Sequence, residues 1–76
     1  MPRVPADLSG EAVVRALGRL GFVCVRRRGS HAVLRRAVAA GTIVCVVPLH
    51  HELARGTLRS VLRQAQVDLD TFLGLL

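Results

Sequence analysis

The run Arg26-Arg27-Arg28-Gly29-Ser30-His31 gathers the side chains of this sequence best suited to chemistry on a phosphate. Three guanidiniums can grip phosphate oxygens through planar, forked donors. The imidazole of His31, three residues past Arg28, can move a proton at physiological pH. Phosphate grip beside a proton carrier is what phosphodiester cleavage without a metal needs. If the chain is extended here, Arg26 and Arg28 share one face and Arg27 takes the other. The competing account is structural: a polar residue opening a strand, and charges on an edge that discourage aggregation.

Other candidates are weaker. His50, His51 and Glu52 are adjacent, so their side chains diverge and do not converge on one ion. With no HExxH or Cys–His spacing, no metal and no other cofactor is expected. Ser30 lacks the Gly-x-Ser-x-Gly elbow of a serine nucleophile. Cys24 and Cys45 lie inside apolar runs and read as buried small hydrophobes. A disulfide would require both to face the same side of neighbouring strands.

The elements that must position these groups follow from periodicity. Residues 1–8, with two prolines, are an extended lead-in. Ser9 is an N-cap, Glu11 suits the positive end of a helix, and Val13, Val14, Leu17 and Leu20 form one helical stripe. Gly21 suits a left-handed C′ position, which gives a helix over residues 10–20. Residues 22–27, 31–36 and 42–47 read as strands, with turns at Gly29-Ser30 and Ala39-Ala40-Gly41 and a stop at Pro48. Short connections make them antiparallel. The third strand is apolar at every position, so both of its faces should be covered, one by helices and the other by a partner or a second copy of the chain. Thr57 is the expected cap of the next helix, on which Leu58, Val61, Leu62 and Ala65 form the apolar stripe. Asp68 caps a last helix carrying Leu69, Phe72, Leu73 and Leu76. The order α-β-β-β-α-α predicts an α+β two-layer sandwich, helices on one face of a three-stranded antiparallel sheet.

The totals set limits. Seventy-six residues make one domain, residues 1–76, and 51% hydrophobic content excludes a disordered chain. The net charge of +6, carried by arginine alone among the strong bases, points to a polyanionic partner. With Phe22 and Phe72 the only aromatics, base stacking is a poor basis for recognition. No segment approaches the roughly 18 apolar residues of a membrane helix, and Met1-Pro2-Arg3-Val4-Pro5 lacks a signal-peptide core. A cytoplasmic protein with no membrane association is expected.

The motifs in order resemble the HicA toxin family of toxin–antitoxin systems. They are Leu20-Gly21-Phe22, Gly29-Ser30-His31, Val47-Pro48-Leu49-His50, and the run from Glu52 to Gln64. Together they span nearly the whole chain. The resemblance implies a fold like double-stranded-RNA-binding domains and a ribosome-independent mRNA endonuclease of a type II system. It also implies a catalytic role for His31 and a HicB-like antitoxin as the partner that blocks it.

On this basis His31 is expected to take the proton from a ribose 2′-OH while Arg26 or Arg28 stabilises charge on the attacked phosphate. Arg27, Ser30 and Arg35 complete the expected RNA contacts. His50 is the candidate proton donor if folding brings it near His31. The alternative is a non-catalytic module that holds double-stranded RNA by shape and phosphate contacts.

Overall fold

The computed structural model describes residues 3–76, so Met1 and Pro2 of the expected lead-in lie outside the described residues. The first helix, α1 (Gly10–Gly18), starts where Ser9 accepts a hydrogen bond from the Ala12 amide at 3.1 Å. It buries Val13, Ala16 and Leu17. Regular helix ends at Gly18, two residues before the expected end, because the chain turns there into a Schellman closure. The Phe22 amide reaches the Leu17 carbonyl and the Gly21 amide the Gly18 carbonyl, both at 3.1 Å. Gly21, at φ +105°, supplies the conformation an L side chain resists.

The sheet has the order β1-β2-β3, all antiparallel, from β1 (Val23–Arg28), β2 (His31–Val38) and β3 (Gly41–Pro48). Gly29 at φ +58° followed by Ser30 makes the two-residue β1–β2 hairpin, with glycine at the first central position as a type II′ turn demands. Register then decides sidedness. Arg28 pairs with His31, Arg27 with Ala32 and Arg26 with Val33, but Cys24 pairs with Leu34, which leaves Val25 as an extra residue in a bulge.

Two helices close the domain: α2 (Arg55–Ala65) and α3 (Leu69–Leu73). Helix α2 begins two residues before Thr57. Its N-cap is Ala54, which offers no side-chain bond. The start is set by tertiary anchors: Leu53 is buried with its amide on the Leu8 carbonyl at 2.7 Å, and Arg55 Nε donates to the Val4 carbonyl at 3.0 Å. Asp68 caps α3 as expected, accepting from the Thr71 amide at 2.7 Å. Phe72 is fully buried, whereas Leu76 falls past the helix end and is exposed.

The core lies between the inner face of the sheet and the helices. Val13 and Leu17 meet Ala32, Leu34, Cys45 and Val47 from the sheet, with Leu58, Val61 and Phe72 completing it. Each fully buried Leu, Val or Phe contributes roughly 1.5–3 kcal/mol. Helices cover that face only. On the other, Val44 is 48% and Val46 37% exposed, so within the chain β3 is covered on one side. Cys24 also departs from expectation: it is exposed on an edge strand, while Cys45 is buried. Leu34 of β2 stands between them in the pairing, which puts their backbones two strand spacings apart, about 9.5 Å, too far for a disulfide.

One close approach ties α1 to the end of β3. The Gly10 amide donates to the His50 carbonyl at 2.9 Å, and a Cβ on Gly10 would collide with the Pro48 carbonyl oxygen. Gly18, on the same helix, has nothing within 4 Å of its would-be Cβ. Gly10→Ala should therefore destabilise the fold by roughly 1–3 kcal/mol. Gly18→Ala should stabilise it by about 0.4–1 kcal/mol. Urea unfolding of the two variants checks both signs; equal effects would show that the contact at Gly10 is not tight.

Candidate functional site

His31 opens the central strand and is held from both sides. It pairs with Arg28 across the hairpin and with Pro48 of β3, and the Leu49 amide donates to the carbonyl of its neighbour Ser30. The alternation of β2 puts Ala32 and Leu34 in the core and His31, Val33 and Arg35 on the bare face. Arg28 is the direct cross-strand neighbour of His31, a relation that sets Cβ atoms about 4.5–5.5 Å apart. Arg26 lies across from Val33 on the same face, and Arg35 is four residues along β2, about 13 Å from His31. Among the described residues the side chains of Arg26, Arg28 and Arg35 make no hydrogen bond or ion pair, and all three are exposed. Ser30 is exposed in the turn.

Arg27 has a different situation. It points to the helix side of the sheet, where its two terminal nitrogens donate to the carboxylate of Glu11 on α1 at 3.0 and 3.1 Å. That hydrogen bonding holds Glu11 below its usual value of 4.5, helped by the charges of Arg27 and Arg15, and raises Arg27 further. The middle arginine of the three is thus a clamp between β1 and α1, while its neighbours face solvent.

His31 also borders an open cleft of about 430 Å³ between the bare end of β3 and α2. Val46 and Pro48 form one wall with His31, and Gly56, Thr57, Ser60 and Gln64 form the other. The cleft exists because α2 docks along the free edge of β3. Gln64 accepts from the Val46 amide at 3.0 Å, which satisfies an edge donor that has no partner strand. Among the described residues, His31 is the one titratable residue in the lining. His50 is not part of it: its carbonyl is engaged by Gly10, and its side chain is exposed. Among the described residues no group of three or more His, Cys, Asp or Glu could hold a metal ion, and no helix is long and apolar enough to cross a membrane.

Thr57, Ser60 and Gln64 were not among the candidates read from the sequence. Their spacing of i, i+3 and i+7 is a helix face. That signal marks a polar stripe, but it does not reveal that the stripe looks onto His31.

A family model described as the HicA toxin of bacterial toxin–antitoxin systems matches residues 10–67. The match takes in α1, the whole sheet and α2, and hence every residue of the cleft. A search of curated proteins returned no match.

The Glu11–Arg27 clamp makes stability depend on pH in one direction. Glu11 has a lowered value in the folded state, so its contribution is complete above 4.5 and is lost as pH falls through that lower value. Thermal melts of the parent should drop in this acid range more than those of Glu11→Gln. The variant should keep a residual drop from Asp68, whose carboxyl is also lowered, by its bonds with Thr71. Identical acid limbs would mean the clamp contributes nothing in solution.

Proposed function

The chain belongs to the HicA toxin family of bacterial toxin–antitoxin systems, and from that membership we propose that it is a cytoplasmic toxin that cleaves mRNA without a metal, with His31 as the general base. The observation that supports this most is the pairing of His31 with Arg28 on a bare sheet face beside a cleft lined by hydroxyls and an amide. His31 takes the proton of a ribose 2′-OH. The freed oxygen attacks the adjacent phosphorus, and the guanidinium of Arg28 stabilises the charge that builds on the phosphoryl oxygens. The bond to the 5′ oxygen breaks, leaving a 2′,3′-cyclic phosphate on one fragment and a 5′-hydroxyl on the other. DNA is inert because it lacks the nucleophile.

Arg26, Arg35 and Ser30 hold flanking phosphates in this scheme. Thr57 and Ser60 offer hydroxyls and Gln64 an amide to the nucleotide in the cleft. Arg27 contributes to the positive field and keeps β1 in place through Glu11. The antitoxin partner that the family implies would cover the bare face, where the exposed valines Val23, Val44 and Val46 lie among arginines. A protein with an apolar patch rimmed by carboxylates matches that surface and would shut the cleft.

One observation favours a second reading. With His31 the only titratable side chain in the cleft among the described residues, the site has a base and no evident acid, as a non-catalytic double-stranded-RNA-binding module would. Protonation of the 5′ oxygen then falls to solvent in the cleavage scheme. His31→Ala should lower the rate of RNA cleavage by about 100-fold or more while RNA binding and folding survive. His50→Ala should leave the rate nearly unchanged. Chelators should have no effect, and growth arrest on expression should follow the cleavage rate at equal protein level. A folded His31→Ala protein that cleaves at the parent rate, with contaminating nuclease excluded, hands the case to the binding module.

A further inference from the structure

A second pocket, of about 380 Å³, lies on the other flank of α2 and is lined by Arg3, Val4, Arg55, Arg59 and Leu69. Three of these five residues carry guanidiniums, and none carries a carboxylate. Arg55 is already oriented: its Nε donates to the Val4 carbonyl at 3.0 Å, which leaves its other donors for a ligand. Arg59 stands one turn further along the same helix, about 6 Å on. Like charges spaced i and i+4 repel, and Arg3 adds a third, so the cluster carries a cost that a bound anion would offset.

This pocket is separate from the His31 cleft, but both border the same helix. Arg55 and Arg59 line one, while Gly56, Thr57 and Ser60 line the other. They occupy two flanks of a helix only about 10 Å across. Gly56 lies between them, and nothing stands within 4 Å of the position a Cβ would take there. The surface over the Gly56 backbone is therefore open, with the cleft on one side and the arginines on the other.

We infer that the Arg3–Arg55–Arg59 pocket is an exosite for a backbone phosphate of the same RNA strand whose reactive nucleotide sits in the cleft. A phosphodiester fits the forked donors of three guanidiniums, and a strand leaving the cleft over Gly56 arrives at them. The inference rests on the reading of the chain as acting on RNA.

The test uses the full chain and an uncleavable 2′-O-methyl oligoribonucleotide of about 12 nucleotides, long enough to span both places. Arginine Nε–Hε and histidine ring resonances are followed by NMR. Shifts at His31 and at Arg3, Arg55 and Arg59 together support the exosite. Shifts at His31 alone overturn it and leave the RNA reading standing. Shifts at the arginine pocket alone support an RNA site there and count against cleavage at His31, and shifts at neither overturn both. As a second arm, Arg3→Gln with Arg59→Gln leaves the Arg55–Val4 bond intact. It should weaken binding of this oligonucleotide on the order of tenfold. The slope of log affinity against log salt should fall by about 0.7 for each phosphate that the variant no longer neutralises. Unchanged affinity and slope would overturn the exosite.

Discussion

The site depends on how closely two backbones meet at Gly10. The first residue of α1 sits against the Pro48–Leu49 backbone with no room for a side chain, and its amide holds the His50 carbonyl. That contact fixes where β3 ends. The end of β3 in turn holds the start of β2, through the Pro48–His31 pair and the Leu49–Ser30 hydrogen bond. A strand terminus would ordinarily fray. Here the terminus carrying His31 is pinned on both sides by neighbours that are themselves pinned by a helix. The proposed role of His31 as a base would need that kind of support, because positional errors of about 1 Å are costly to catalysis.

A second constraint decides which charges the site receives. Strand side chains alternate, so a strict register from Val23 would put Arg27, not Arg26 and Arg28, on its face. The bulge at Val25 changes the parity. Val23 and Arg26, three residues apart, then look out from the same bare face, Arg28 joins them beside His31, and Arg27 turns inward to Glu11. One extra residue thus separates two arginines exposed to solvent from one tied to the scaffold. The bulge also disturbs the free edge of β1, the side on which, among the described residues, no strand or helix supplies the kind of cover that Gln64 gives β3.

What could be read in the sequence was what local chemistry dictates. Ser9, Gly21 and Asp68 act at the helix ends their types suggested, and Gly29-Ser30 turns the hairpin. The order of elements and the sandwich followed from periodicity. The helices' placement on one face follows from the buried alternation of β2, Ala32 and Leu34 inward against Arg35 outward. What could not be read depends on contacts between distant segments. Thr57 has the right type for a cap, but α2 starts where Leu53 meets Leu8 and Arg55 meets Val4. Cys24 sits in an apolar run, but its strand is an edge, so it is exposed. The apolar pattern of β3 correctly marked a strand, yet pattern alone does not distinguish a face covered within the chain from one left open, as Val44 and Val46 are.

The candidate site divides along the same line. Arg26, Arg28 and His31 are close in sequence, and the hairpin that unites them is local, so they could be found by reading along the chain. The opposite wall comes from a helix that begins more than twenty residues later, and it can be found only once α2 is docked on the β3 edge. That helix serves three purposes with three faces. Leu58, Val61, Leu62 and Ala65 anchor it to the core, Thr57, Ser60 and Gln64 look onto His31, and Arg55 and Arg59 form the basic flank. The anchoring face is what gives the other two fixed positions. A change at Leu58 or Val61 would therefore be felt at the cleft and at the arginines together, although neither side chain carries a polar group of its own.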